Sequence, residues 1–165
     1  MSNHFQGTRN NPYHISIGAL VLNNEGLVAC HYFESLNHKS GVIFKDFVLL
    51  MRETIEENES TEECLHRGLM EEFGMEAELK SYIGSIVSHF KVPNTEVNVE
   101  KTTLYFLCNF ISQDDTLRSQ EDIERESKIK WFDVKELVVR MKEQGKRLGR
   151  EDMDESSIIE NLMKR

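Results

Sequence analysis

Two apolar runs near the start of the chain are bounded by turn residues, which is the pattern of β-strands. Tyr13 to Leu22 (YHISIGALVL) is rich in β-branched and apolar residues, and Asn23-Asn24-Glu25-Gly26 reads as a turn into a second strand, LVACHYFE. Another strand is expected over Val42 to Met51, ending in the run Phe47-Val48-Leu49-Leu50-Met51. The texture then changes. Residues 53–63, ETIEENESTEE, are dense in acids and lead into a helical period. Ser60 with Glu63 three residues later makes a capping box, so a helix is expected from about Ser60. Leu65, Leu69 and Phe73 recur every four residues as its buried stripe, and Gly74 ends it.

Strand-like segments follow from Leu79 to Val92 and from Val97 to Ile111, the second alternating through Leu104, Phe106, Cys108 and Phe110. Ser112 to Ser127 reads as a polar loop, Lys128 to Phe132 as a last short strand, and Asp133 to Gln144 as an amphipathic helix capped by Asp133. A short helix is expected over Ser156 to Met163. The organisation predicted is a flexible leader over residues 1–12, one domain over 13–143, and a charged C-terminal segment over 144–165, helical and packed on or flanking the domain. No internal repeat and no low-complexity linker interrupts it. Strands on either side of one central helix, with a closing helix, predict a mixed-sheet α/β domain.

Composition narrows the function. At 165 residues the chain is long enough for one well-buried core, and its 39% hydrophobic and 30% charged residues are ordinary for a globular protein. No apolar run approaches the roughly 20 residues that cross a bilayer. Met1 to Pro12 lacks the apolar core of a secretion signal, so a cytoplasmic location with no membrane partner is expected. Cys30, Cys64 and Cys108 are odd in number and scattered, which argues for buried reduced thiols rather than disulfides or a zinc site. With 20 basic against 29 acidic residues and a net charge of −9, the chain has no basic face for nucleic acid. An acidic protein can still bind phosphates through metal ions held between its carboxylates and the ligand.

The residues that could do so lie between Glu53 and Met75. Hydrolysing a diphosphate requires charge on adjacent phosphoryl groups to be neutralised while water attacks one phosphorus. Magnesium serves this with oxygen ligands, and acids three and four apart on a helix share a face. Glu71 and Glu72 stand three and four residues after position 68, Arg67 can brace a carboxylate such as Glu59, and Gly74 lets the chain turn away.

The spacing resembles the Nudix box: glycine, five residues, glutamate, seven residues, then R-E-U-x-E-E-x-G-U with U a bulky aliphatic. Glu59, Arg67, Leu69, Glu71, Glu72, Gly74 and Met75 fall in register, seven of the nine defining positions. The resemblance extends in order and texture over about residues 13–143, although only the box is specific. It implies a Nudix-type α/β/α sandwich with a mixed central sheet. It also implies catalytic roles for Glu71, Glu72, Arg67 and Glu59, and Mg²⁺ or Mn²⁺ held by Glu71, Glu72 and the backbone carbonyl of Glu53.

Two positions depart from the box. Glu53 stands where the family has glycine, and Gly68 where it has the glutamate that follows the arginine. The first is tolerable if only a carbonyl is needed, and Asn58 suits a left-handed turn in the same loop. Gly68 removes a metal-binding or water-activating carboxylate and costs the helix about 1 kcal/mol relative to alanine. Replacement candidates are Glu124 and Glu126 in the late loop, where many family members place a further acid, and His89 as a base. The function implied is metal-dependent cleavage of a phosphoanhydride bond in a nucleoside diphosphate linked to another group, by a monomer or homodimer. The alternative is a non-catalytic module on the same scaffold, binding a phosphorylated ligand or a protein partner. A Nudix-type isomerase acting on an isoprenoid diphosphate would want a reactive cysteine that no motif places.

Overall fold

Strand β1, Tyr13–Leu22, is buried along nearly its whole length because both of its faces are covered. In the computed structural model, which describes residues 3–37, 41–120 and 126–165, it forms the axis of a seven-stranded mixed sheet. It runs parallel to β6 (Asn98–Gln113), with Tyr13 opposite Glu100 and Leu22 opposite Asn109. β6 pairs antiparallel with the long β5 (Met75–Lys91). At its C-terminal end β1 meets β2 (Val28–Asn37), which carries β3 (Ile43–Leu49) on one edge and β7 (Lys128–Phe132) on the other.

The single strand expected over Val42 to Met51 is two. β3 pairs with β2, the chain breaks at Leu50, and β4 (Met51–Thr54) pairs antiparallel with β1. The break has a tertiary cause. The Leu50 N–H leaves the sheet and donates to Oε2 of Glu155 at 2.8 Å, and Gln144 takes the Val48 N–H in the same way.

Helix α1 (Thr61–Gly68) covers one face of the sheet and α2 (Val134–Leu148) with α3 (Ser156–Met163) covers the other, so the layers are the α/β/α sandwich expected. Leu65, Leu69 and Phe73 pack onto Ile17, Ala19, Val21 and Met51. Leu137, Met141, Ile158 and Ile159 pack onto Leu20, Val28, Leu50 and Tyr105. The capping box is formed, with Ser60 and Glu63 each bonding the other's backbone N–H. α2 runs past Gln144 because Gly145 is helical and only Gly149 turns left-handed.

Both ends of the described chain contact the domain. Asn3 bonds the Ile55 carbonyl, the Phe5 carbonyl accepts from the Ile15 N–H, and the Phe5 side chain packs on the core under α1. In the C-terminal segment Glu155, Ile158 and Ile159 are buried. The three cysteines are free and buried, as expected. Among the described residues no helix is long and apolar enough to cross a membrane.

Candidate functional site

Arg67 on the last turn of α1 organises the box. Its Nε donates to Glu59 Oε1 at 2.7 Å and its Nη2 to Glu59 Oε2 at 3.0 Å, a two-pronged bond that fixes the loop before the helix. Nη2 also bonds the Thr54 carbonyl at 2.9 Å. Glu59 completes the loop by accepting the Glu56 N–H, while Asn58 takes the left-handed conformation at φ 64°. The hydrogen bond to Glu59 raises the guanidinium pKa further and lowers that of Glu59.

The remaining nitrogen, Nη1, faces three more carboxylates: Glu71 at 3.3 Å, Glu53 at 3.5 Å and Glu56 at 3.9 Å. One positive charge therefore sits among four negative ones. Glu71 is about half exposed. Glu53 is mostly covered, and burial raises its carboxyl above the usual range although Arg67 opposes the shift. Its carbonyl, the expected metal ligand, lies 3.7 Å from the Cys64 thiol.

Glu72 lies elsewhere. After Gly68 the helix widens into a π turn over Leu69–Phe73, with hydrogen bonds reaching one residue further than in an α-helix. That winding changes the angular positions of Glu71 and Glu72 relative to residue 68, so α-helical spacing no longer describes their common face. Glu71 stays beside Arg67. Glu72 is buried, and its Oε2 accepts from Nε2 of His31 at 2.7 Å. His31 Nδ1 in turn meets the Ser127 hydroxyl at 2.7 Å. Arg118 closes this second network by donating to the Glu72 carbonyl, the Ser127 carbonyl and Ser127 Oγ, while the Ser119 N–H bonds the Glu71 carbonyl. The late loop is thus tied directly to the π turn. Burial first, then the positive charges of Arg118 and Arg52, hold His31 neutral.

Two of the replacement candidates, Glu126 and His89, are not gathered here. Glu126 is exposed and lines a depression with Tyr32, Glu34 and Lys128, although its neighbour Ser127 is buried. His89 stands exposed on β5, 3.7 Å from Glu100. Glu124 lies outside the described residues. The sequence reading assigned no role to His31, Arg118 or Ser127; the one available signal was a histidine inside the apolar start of β2. On the opposite face of the sheet it also missed a buried cluster in which Glu155 accepts from Tyr105 at 2.5 Å and lies 3.5 Å from Arg52 Nε. Lys101 belongs to the same face, its amine lowered to about 8 by burial and by Arg52.

Two open depressions run along α2, one near Arg140 and Arg147 and one near Lys146 and Arg150, and neither includes a residue between Glu53 and Met75. The charge arrangement at Arg67 locates the site better than surface shape does. Among the described residues, no three acidic, histidine or cysteine side chains converge on a common metal position. Glu53, Glu56 and Glu71 converge instead on Nη1 of Arg67, a fixed positive charge. In kind, these all-oxygen donors with an excess of negative charge suit Mg²⁺ or Mn²⁺.

A domain of this architecture, with an arginine-braced acidic loop and helix, is a Nudix-type domain. The NUDIX domain family model matches residues 12–152, and the chain belongs to that family. Among solved structures it is similar to a NUDIX hydrolase from Nitrosomonas europaea, with a TM-score of 0.62 at 12% identity over 90% of this chain and 87% of that one. It is also similar to the E. coli ORF135 protein, with a TM-score of 0.60 at 14% identity over 96% and 94% of the two chains. A MutT protein from Methanosarcina mazei Go1 gives 0.50 at 18% identity over 88% and 99%. These likenesses are of fold. Comparison with curated protein sequences gives no match.

Proposed function

We propose that this chain is a metal-dependent hydrolase that cleaves a phosphoanhydride bond in a nucleoside diphosphate linked to another group. The observation that carries the reading is the ring of carboxylates from Glu53, Glu56, Glu59 and Glu71 around the single guanidinium of Arg67, in a chain of the Nudix family.

Mg²⁺ or Mn²⁺, when bound, would neutralise phosphate charge and lower the pKa of an attacking water. Glu71 and the Glu53 carbonyl are the groups nearest to hand to hold it, with Glu72 engaged by His31 at one of its two oxygens. Glu59 and Arg67 keep the loop at a set distance from the helix, so the acids need not reorganise when a polyanion arrives. The buried His31–Glu72–Ser127 network anchors the π turn from beneath and so sets where Glu71 stands.

The engagement of Glu72 by His31, with no glutamate at 68, favours a second reading: a phosphorylated-ligand binding module without catalysis. One assay separates the two. Nucleoside diphosphate derivatives are incubated with the protein and Mg²⁺ or Mn²⁺, and release of nucleoside monophosphate is measured against Glu71→Gln. Turnover abolished by that substitution supports the hydrolase. No turnover on any substrate, with ligand binding that survives Glu71→Gln, overturns it in favour of the binding module.

A further inference from the structure

A Cβ placed ideally on Gly68 would lie 2.7 Å from Glu53 Cβ, 2.9 Å from Met51 Sδ and 3.2 Å from Glu53 Cγ. Non-bonded carbons settle at about 3.5–4.0 Å. The methionine sulfur could swing aside. Glu53 Cβ could not, because β4 is held in register with β1, Glu53 opposite Ile17. A side chain therefore fits at position 53 or at position 68, but not at both.

These are also the two positions at which the chain departs from the Nudix box, and the departures are opposite in sense: glutamate for glycine at 53, glycine for glutamate at 68. If the helix glutamate had simply decayed, the volume beside Gly68 would stand open. Instead the Glu53 stem fills it. The Glu53 carboxylate accepts the Thr54 N–H at 2.8 Å and lies 3.5 Å from Arg67 Nη1, the nitrogen that also faces Glu71. The box keeps its number of acids, and the relocated one ends beside the residues that flank position 68 on the helix.

We propose that Glu53 and Gly68 are one compensated exchange, in which the Glu53 side chain supplies from strand β4 the functional carboxylate that helix α1 lacks. Its chemical role rests on the hydrolase reading above; its geometry does not. The role differs from that expected for this position, where only a backbone carbonyl was needed. The exchange also accounts for the helix-weakening glycine at 68, which is the residue that admits the Glu53 stem.

The test is a double-mutant cycle of wild type, Glu53→Gly, Gly68→Glu and the double variant, with Glu53→Gln alongside as a shape-preserving control. Three quantities are read: melting temperature without metal, the rise in melting temperature on adding Mn²⁺, and turnover. Gly68→Glu alone should melt several degrees lower, and removing the opposing side chain should recover at least half of that loss. The Mn²⁺-induced rise should shrink in Glu53→Gly and Glu53→Gln and return in the double variant. Turnover should follow it, falling roughly 100-fold in Glu53→Gln, the scale seen when a charge-stabilising group is removed.

Strictly additive melting losses overturn the exchange even if the wild type is an active hydrolase. An undiminished Mn²⁺ effect and full turnover in Glu53→Gln reduce Glu53 to a space-filler and overturn its function. A wild type that responds to Mn²⁺ yet turns over no substrate defeats the hydrolase reading alone, and the cycle with the Mn²⁺ effect still decides this proposal. A wild type with neither response overturns the functional half of it.

Discussion

His31 and Glu72 form a buried pair, Nε2 to Oε2 at 2.7 Å, between the middle of β2 and the π turn that follows helix α1. The histidine is held neutral, so the bond is an N–H donated to a carboxylate rather than an ion pair. Glu72→Gln retains an acceptor of the same shape and should cost no more than about 1 kcal/mol. Glu72→Ala strands a buried donor and should cost about 2–3 kcal/mol. Urea unfolding of the two variants checks the order; equal losses would mean that the hydrogen bond contributes little.

Glu155 ties the C-terminal segment to the sheet across 105 residues of sequence through the Leu50 N–H, with Tyr105 and Arg52 at its other oxygen. Glu155→Ala leaves an arginine, a phenol and a backbone N–H without this partner in a buried setting. A loss of about 3 kcal/mol is expected. The measurement is the urea midpoint, which should fall while the slope stays unchanged.

Gly74 ends the π turn at φ 63°, and a Cβ there would meet the Asp114 carbonyl at 2.3 Å. Gly26 has a similar φ of 76° in the β1–β2 turn and nothing within 4 Å. Gly26→Ala should therefore cost only the conformational term, about 1 kcal/mol, and Gly74→Ala should cost more than twice that. Thermal unfolding of both variants separates conformation from collision.

His14 is buried at the start of β1, with its Nδ1 accepting the Gly7 N–H at 3.2 Å. Burial, then the charge of Lys101, lowers its pKa from 6.5 to about 4. The unfolded chain takes up this proton near 6.5 and the folded chain only near 4. The stabilisation is thus complete above about pH 6.5 and is lost as pH falls toward 4. Melting temperatures from pH 7 to 4.5 should fall less steeply in His14→Gln than in wild type. His31 shares the direction of this shift, so the variant should flatten the slope without abolishing it.

Much of the helix and its box was legible because its determinants are local. The Ser60–Glu63 capping box, the Leu65-Leu69-Phe73 stripe and the Gly74 stop each depend on residues within one or two turns, and each is formed. The pairing of Arg67 with Glu59 was legible for a similar reason, since eight residues separate them. Family membership followed from the same spacing and is shown by the match over residues 12–152.

What the sequence by itself determined was therefore the register of chemistry along one helix: the acids, the bracing arginine, the caps and the two anomalous positions. It could not determine that the two anomalies are in contact, since fifteen residues and a loop separate 53 from 68 and their mutual exclusion exists only where β4 meets α1. Nor could it place Glu72 against His31, split a strand at Leu50, or seat Glu155 beneath the sheet. Those features were decided by tertiary structure, because volume exclusion and the satisfaction of buried polar groups depend on which surfaces the folded sheet and helices bring together.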